Sequence, residues 1–241
     1  MTTRVSPSRW QRLRGIAIFV AIVWAIAASF IAFDLLARAG GGWLGAFDVS
    51  LPAAVQRSTV CNVADETKTG SPETQAAAWL LGVQAGFLAR TAATSEDLQG
   101  DALRAATRQI VAQAKAAAEQ LSARLQVPVP GTYVPINIVN AIVEFGQFIE
   151  TSPYPTPERL AAAYGRRTCE IYKLGAYSGY SLLVRLPGSA NPFEVQIRHY
   201  ARRLNIPDSL WQPIVAPVDD TVPNRVTTQI SELAQYFNAA R

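Results

Sequence analysis

Leu174-Gly175-Ala176-Tyr177-Ser178-Gly179-Tyr180-Ser181 has a counterpart earlier in the chain, Leu81-Gly82-Val83-Gln84-Ala85-Gly86-Phe87-Leu88. Both read Leu-Gly-x-x-small-Gly-aromatic. Glycines four residues apart fall on one face of a helix and leave it flat, so two such faces can pack backbone against backbone. A glycine inside a helix costs up to about 1 kcal/mol. Four of them therefore point to close packing as the compensation. The pattern predicts that a helix over about 72–92 crosses one over about 157–186 at Gly82, Gly86, Gly175 and Gly179.

Outward from these two segments the punctuation is regular. Ser71-Pro72, Thr156-Pro157 and Asn191-Pro192 each set a capping residue before a proline, and Glu73 and Glu158 follow the first two. Proline suits the first helical position, the hydroxyl or amide caps free backbone N–H groups, and the acid complements the helix dipole. Further helices are expected over about 96–126, 135–150, 192–204, 208–215 and 223–239. Sustained period-two alternation is hard to find. The fold class is read as all-α, with a helical bundle of about six to seven helices over 71–241. In the alanine-rich helix 96–126 the apolar line is Leu103, Ile110, Ala114, Ala117, Leu121 and Leu125, a seam suited to a close neighbour in the same domain.

Ahead of this domain, Gly15 to Phe33 carry no charged side chain, and Arg4, Arg9, Arg12 and Arg14 come just before them. Nineteen residues at 1.5 Å each span roughly 28 Å, close to the hydrocarbon core of a bilayer. The expected organisation is a basic cytoplasmic tail (1–14), a transmembrane anchor (15–37), a linker (38–70) and an extracytoplasmic helical domain (71–241). Basic residues before a first span hold the N-terminus in the cytoplasm, which sets the domain on the periplasmic side of a bacterial inner membrane. Phe19, Trp24, Phe30 and Phe33 are the candidate contacts with lipid or neighbouring spans. The competing reading is a cleaved signal peptide ending at Ala37-Arg38-Ala39, but its apolar region would exceed the usual length. Both readings export the same domain.

The net charge of +4 belongs to the N-terminus. Five of the 22 Lys and Arg residues and one of the 18 Asp and Glu residues lie at or before Arg38, which leaves 17 against 17 beyond it. A balanced domain with only paired arginines, Arg166-Arg167 and Arg202-Arg203, does not read as a nucleic-acid binder. The two cysteines, Cys61 and Cys169, lie in the exported part and are expected to form a disulfide. Two buried thiols are the alternative. Neither has the local Cys or His neighbours of a zinc site.

The chain has one histidine, His199, in a helix-like stretch without a nucleophile motif. No P-loop, Gly-x-Ser-x-Gly, HExxH or Gly-x-Gly-x-x-Gly is present. The acid pairs Asp65-Glu66, Glu96-Asp97 and Asp219-Asp220 fall in polar, loop-like or helix-start contexts. No catalytic, cofactor or metal residues are assigned, and the chain reads as a non-enzyme.

Tyr164, Tyr172, Tyr177 and Tyr180 gather near the second glycine strip. With Trp79 and Trp211 they are candidates for a partner or ligand surface, because tyrosine and tryptophan offer contact area with a polar handle. On one helix they equally serve to close a core with their hydroxyls at water. The proline-rich but apolar tail around Trp211, Ile214 and Val215 reads as a lid on the domain or a strap on a partner. The functional expectation is an accessory or structural subunit of an envelope membrane complex, with membrane lipid and integral membrane subunits as its partners. The alternative is a periplasmic ligand-binding or chaperone-like module with a pocket between the glycine-bearing helices.

Overall fold

The computed structural model describes residues 60–63, 66–94, 101–130, 138–151, 155–182, 191–216 and 225–239, and every regular element among them is helical. A short 3-10 helix, Val60–Val63, precedes α1 (Pro72–Thr94), α2 (Asp101–Leu125), α3 (Ile138–Thr151), α4 (Pro155–Tyr180), α5 (Glu194–Arg203), α6 (Asp208–Val215) and α7 (Arg225–Ala239). The described residues all fall within one compact unit. The expected anchor, with Arg4, Arg9, Arg12, Arg14, Phe19, Trp24, Phe30 and Phe33, lies outside the described residues. Among the described residues no helix is long and apolar enough to cross a membrane.

α1 is central because its sequence allows it to be. Between Glu73 and Arg90 it carries no charge, and it buries Ala77, Ala78, Trp79, Leu81, Val83, Ala85 and Ala89 on several faces. α4 lies along one side, with α2, α3 and α7 on others. α5 and α6 pack next to each other, α5 against α4 and α6 against α7. Ser71 caps α1 by accepting the Thr74 N–H at 3.2 Å. Its hydroxyl also donates to Glu73, a bond that holds the Glu73 carboxyl below its ordinary value.

Two helices end by the same device. Gln126 and Asn205 have φ of 54° and 56°. In each case the next amide reaches back five residues, Val127 to Ser122 at 3.0 Å and Ile206 to Ala201 at 2.9 Å. This left-handed closure satisfies the last carbonyls, and Pro128 and Pro207 then prevent continuation. The other two expected caps are used differently. Thr156 lies inside α4 and donates to the Pro128 carbonyl at 2.9 Å. Asn191 is buried and joins three elements: its Oδ1 accepts from Ser181 and from the Phe193 amide, and its Nδ2 donates to the Ile214 carbonyl.

The structure corrects the reading of helix 157–186 as continuous. α4 is broken at Gly165, whose φ of 81° and ψ of −177° suit glycine alone. The backbone carbonyl of Lys68 presses where a side chain at 165 would begin, and Lys68 Nζ donates to Ala162 O at 3.0 Å. Residues 60–63 and 66–70, read as part of a linker, are therefore docked on α4. Cys61 and Cys169 are bonded and buried, with a Cα–Cα distance of 5.6 Å and a sequence separation of 108. In the chain-entropy account a loop of this length stabilises the fold by about 4–5 kcal/mol.

α2 also departs from expectation. Its buried line is Ala114, Ala118, Ser122 and Leu125, with Leu121 half-buried. Ile110 is 52% exposed, and the buried residues described in α2 all lie in its C-terminal half; the Leu103 side chain lies outside the described residues. Tyr164 fixes that half by donating to the Leu125 carbonyl at 2.9 Å.

Candidate functional site

The glycine strips of α1 and α4 face each other. A Cβ built on Gly82 would lie 2.9 Å from Ala176 N, one on Gly86 2.5 Å from Tyr180 N, and one on Gly175 3.1 Å from Val83 N. One on Gly179 would lie 2.7 Å from Val83 Cα, and all four would also press on a backbone carbonyl of the facing helix. No side-chain rotation can relieve a clash with backbone. The helices approach this closely because those four positions carry no side chain.

Close approach of α1 and α4 leaves the large side chains to fill the flanks. The aromatic residues considered for a partner or ligand surface are core residues. Trp79, Tyr172 and Tyr177 are 0% exposed, Tyr180 1% and Trp211 3%. Trp79 Nε1 donates to the Ile230 carbonyl at 3.0 Å, and its ring meets Phe237 at 5.8 Å. Tyr180 stacks on Phe145 at 4.6 Å and meets Phe193 edge-on at 5.2 Å. Burial pushes the Tyr180 hydroxyl above its ordinary value, against the opposing charge of Arg90. Tyrosine spacing alone does not separate a surface from a core, since the ring buries in either case. Trp211 docks as a lid, with Ile214 and Val215 buried beside it. His199 is exposed, and its ring meets Tyr200 edge-on at 5.1 Å. Among the described residues no group of three or more His, Cys, Asp or Glu is placed to hold a metal ion.

Two polar arrangements emerge that the sequence did not single out. The first centres on Glu150 at the end of α3. Lys173 of α4, fully buried, donates to Glu150 Oε2 at 2.7 Å. Tyr177 donates to Oε1 at 2.8 Å, and the Tyr200 hydroxyl of α5 lies 2.7 and 2.8 Å from the two oxygens. Burial pushes the Glu150 carboxyl up, but the charge of Lys173 and the hydrogen bonds from Lys173, Tyr200 and Tyr177 outweigh it. The group titrates below its ordinary value. Burial, followed by the neighbouring Glu150 charge, pushes the Tyr200 hydroxyl well up. Three helices thus meet on one carboxylate whose side chain is 26% exposed. Sequence held one signal of this: Lys173 is the only charge from Ile171 to Val184.

The second arrangement is an open cleft of about 210 Å³ lined by Glu66, Arg166, Arg167, Glu170, Arg203 and Leu204. Gly165 turns the chain immediately before Arg166-Arg167, and Arg203 ends α5. Arg166 Nε donates to the Cys61 carbonyl at 3.3 Å, and Arg166 pairs with Glu66. Arg167 donates to Gln75 Oε1 at 3.2 Å and to the Leu204 carbonyl at 3.3 Å. Arg203 pairs with the buried Glu170 at 2.6 Å. Burial pushes the Glu170 carboxyl above its ordinary value, against the pull of Arg203, Arg166, Lys173 and Arg167. The arginine pairs were visible in sequence; their convergence with Glu66 was not.

Comparison with known proteins gives no match: no family model, no curated protein and no solved structure is similar to this chain.

Proposed function

We propose that this chain is a single-span, membrane-tethered helical subunit that works by binding a partner protein, with its domain on the extracytoplasmic side. The observation that carries the reading is the buried Cys61–Cys169 bond, in a chain whose residues 15–33 are uncharged and preceded by four arginines. A structural disulfide belongs to an oxidising compartment, and the basic-then-apolar start supplies both export and retention. The dense packing around Trp79, Tyr172, Tyr177 and Tyr180 favours this reading over a ligand pocket between the glycine-bearing helices. Integral membrane subunits and lipid remain the expected neighbours of residues 15–37.

Fractionation tests the anchoring. The full chain should stay with bacterial membranes after an alkaline carbonate wash and run as the disulfide form on a non-reducing gel after thiol blocking. A chain lacking residues 1–38 should leave the membrane. Recovery of the full chain in the soluble cytoplasmic fraction with both thiols reduced would contradict the proposal.

A further inference from the structure

We propose that the cleft lined by Arg166, Arg167 and Arg203 receives a carboxylate from the partner protein, an acidic side chain or a chain end, and that Glu66 occupies the place this carboxylate takes. The assignment rests on the interaction reading above, whose partner it describes chemically. Arginine presents a planar fork that matches a carboxylate with two parallel hydrogen bonds. Here the forks are held in advance. Arg166 is pinned by the Cys61 carbonyl, Arg167 by Gln75 and the Leu204 carbonyl, and Arg203 by Glu170. Little side-chain freedom is left to lose on binding.

The two acidic residues in the cleft are not equivalent. Glu170 has a side chain only 5% exposed and is committed to Arg203. Glu66 has a side chain 69% exposed and stands at the lip against Arg166. An ion pair at such an exposed position contributes little, so an incoming carboxylate can replace it at small cost. Among the described lining residues, displacing Glu66 leaves three guanidinium groups against the one carboxylate of Glu170. Two features select a carboxylate on a polypeptide. The volume of about 210 Å³ is below the 300–1,000 Å³ or so of small-molecule sites, so it suits a head group whose stem stays outside. Glu66, which stands at the lip against Arg166, is itself a carboxylate carried on a polypeptide.

The test uses the full chain in neutral-detergent micelles, with a short oligoglutamate peptide, succinate and inorganic phosphate as probes at matched ionic strength. Thermal unfolding and calorimetric titration are the readouts. The oligoglutamate is expected to raise the melting temperature and to bind more tightly than succinate. Arg167→Gln should weaken that binding about tenfold or more. Glu66→Gln removes the competing carboxylate from an exposed position and should tighten binding about two- to fivefold. That gain has no counterpart if Glu66 merely braces the fold. No response to either carboxylate, a response to phosphate alone, succinate binding as tightly as the peptide, or weaker binding by Glu66→Gln would each overturn the assignment. The subunit reading would survive such a result if the chain still co-migrates with a larger assembly.

Discussion

Alanine at Gly179 is expected to destabilise the domain by about 3–5 kcal/mol, and a Gly86→Ala, Gly179→Ala double variant to prevent folding altogether. A Cβ at Gly179 would meet Val83 Cα at 2.7 Å, and one at Gly86 would meet Tyr180 N at 2.5 Å. Both contacts are with backbone, so relief requires the two central helices to part. Parting them would strip packing from Trp79, Leu81, Tyr172 and Ala176, all 0% exposed. A domain stable by some 5–15 kcal/mol in total cannot absorb two such losses. Gly146→Ala is the control. Its Cβ would meet nothing nearer than Phe193 Cε1 at 3.8 Å. With helix propensity improved by up to about 1 kcal/mol, it should be neutral or slightly stabilising. Urea unfolding followed by circular dichroism separates these outcomes. Equal tolerance of alanine at Gly179 and Gly146 would rule out the backbone-to-backbone seam.

Removing Lys173 should be the next most damaging change. Lys173→Met leaves the Glu150 carboxyl without its cationic partner and with only tyrosine hydroxyls as donors, while Lys173 itself is fully buried. Breaking a buried pair costs about 3–5 kcal/mol. Here the lower end applies, because the Glu150 side chain keeps 26% exposure. The double variant Glu150→Gln, Lys173→Met should recover part of the loss, since neither charge is then left alone. The pH dependence has a definite sign. Folded Glu150 titrates below the ordinary value of 4.5, so its contribution is present above 4.5 and is lost as pH falls through the lowered value. The stability gap between the natural chain and Glu150→Gln should therefore be widest near neutrality and close in acid. Glu170 behaves oppositely. Its raised folded value makes its contribution full below 4.5 and lost as pH rises through that raised value. For this reason the comparison is made at Glu150 alone. A gap that widens in acid would contradict the arrangement around Glu150.

What could be read in the sequence was local. Ser71 before Pro72 and the paired glycines act within one or two helical turns, so their residues announce them. The break at Gly165 could not be read that way, because its cause is the Lys68 carbonyl nearly a hundred positions earlier in the chain. Glu150, Lys173 and Tyr200 meet only once α3, α4 and α5 are packed, and Glu66 meets Arg166 only once the segment carrying Cys61 and Lys68 is docked on α4. The tyrosines illustrate the other limit. Tyr177 and Tyr180 have the same pattern whether they face a partner or a core, and the positions of Phe145 and Phe193 decide it. Lys173 was the readable exception, a lone charge in an otherwise uncharged stretch.

A chain held at a membrane in order to bind a protein partner should travel with that partner. Native electrophoresis of membranes solubilised in mild detergent, with identification of what migrates beside the chain, tests it most directly. Co-migration with a larger assembly is expected, through both the anchor and the folded domain. Migration alone, at the mass of a monomer or dimer, would contradict it.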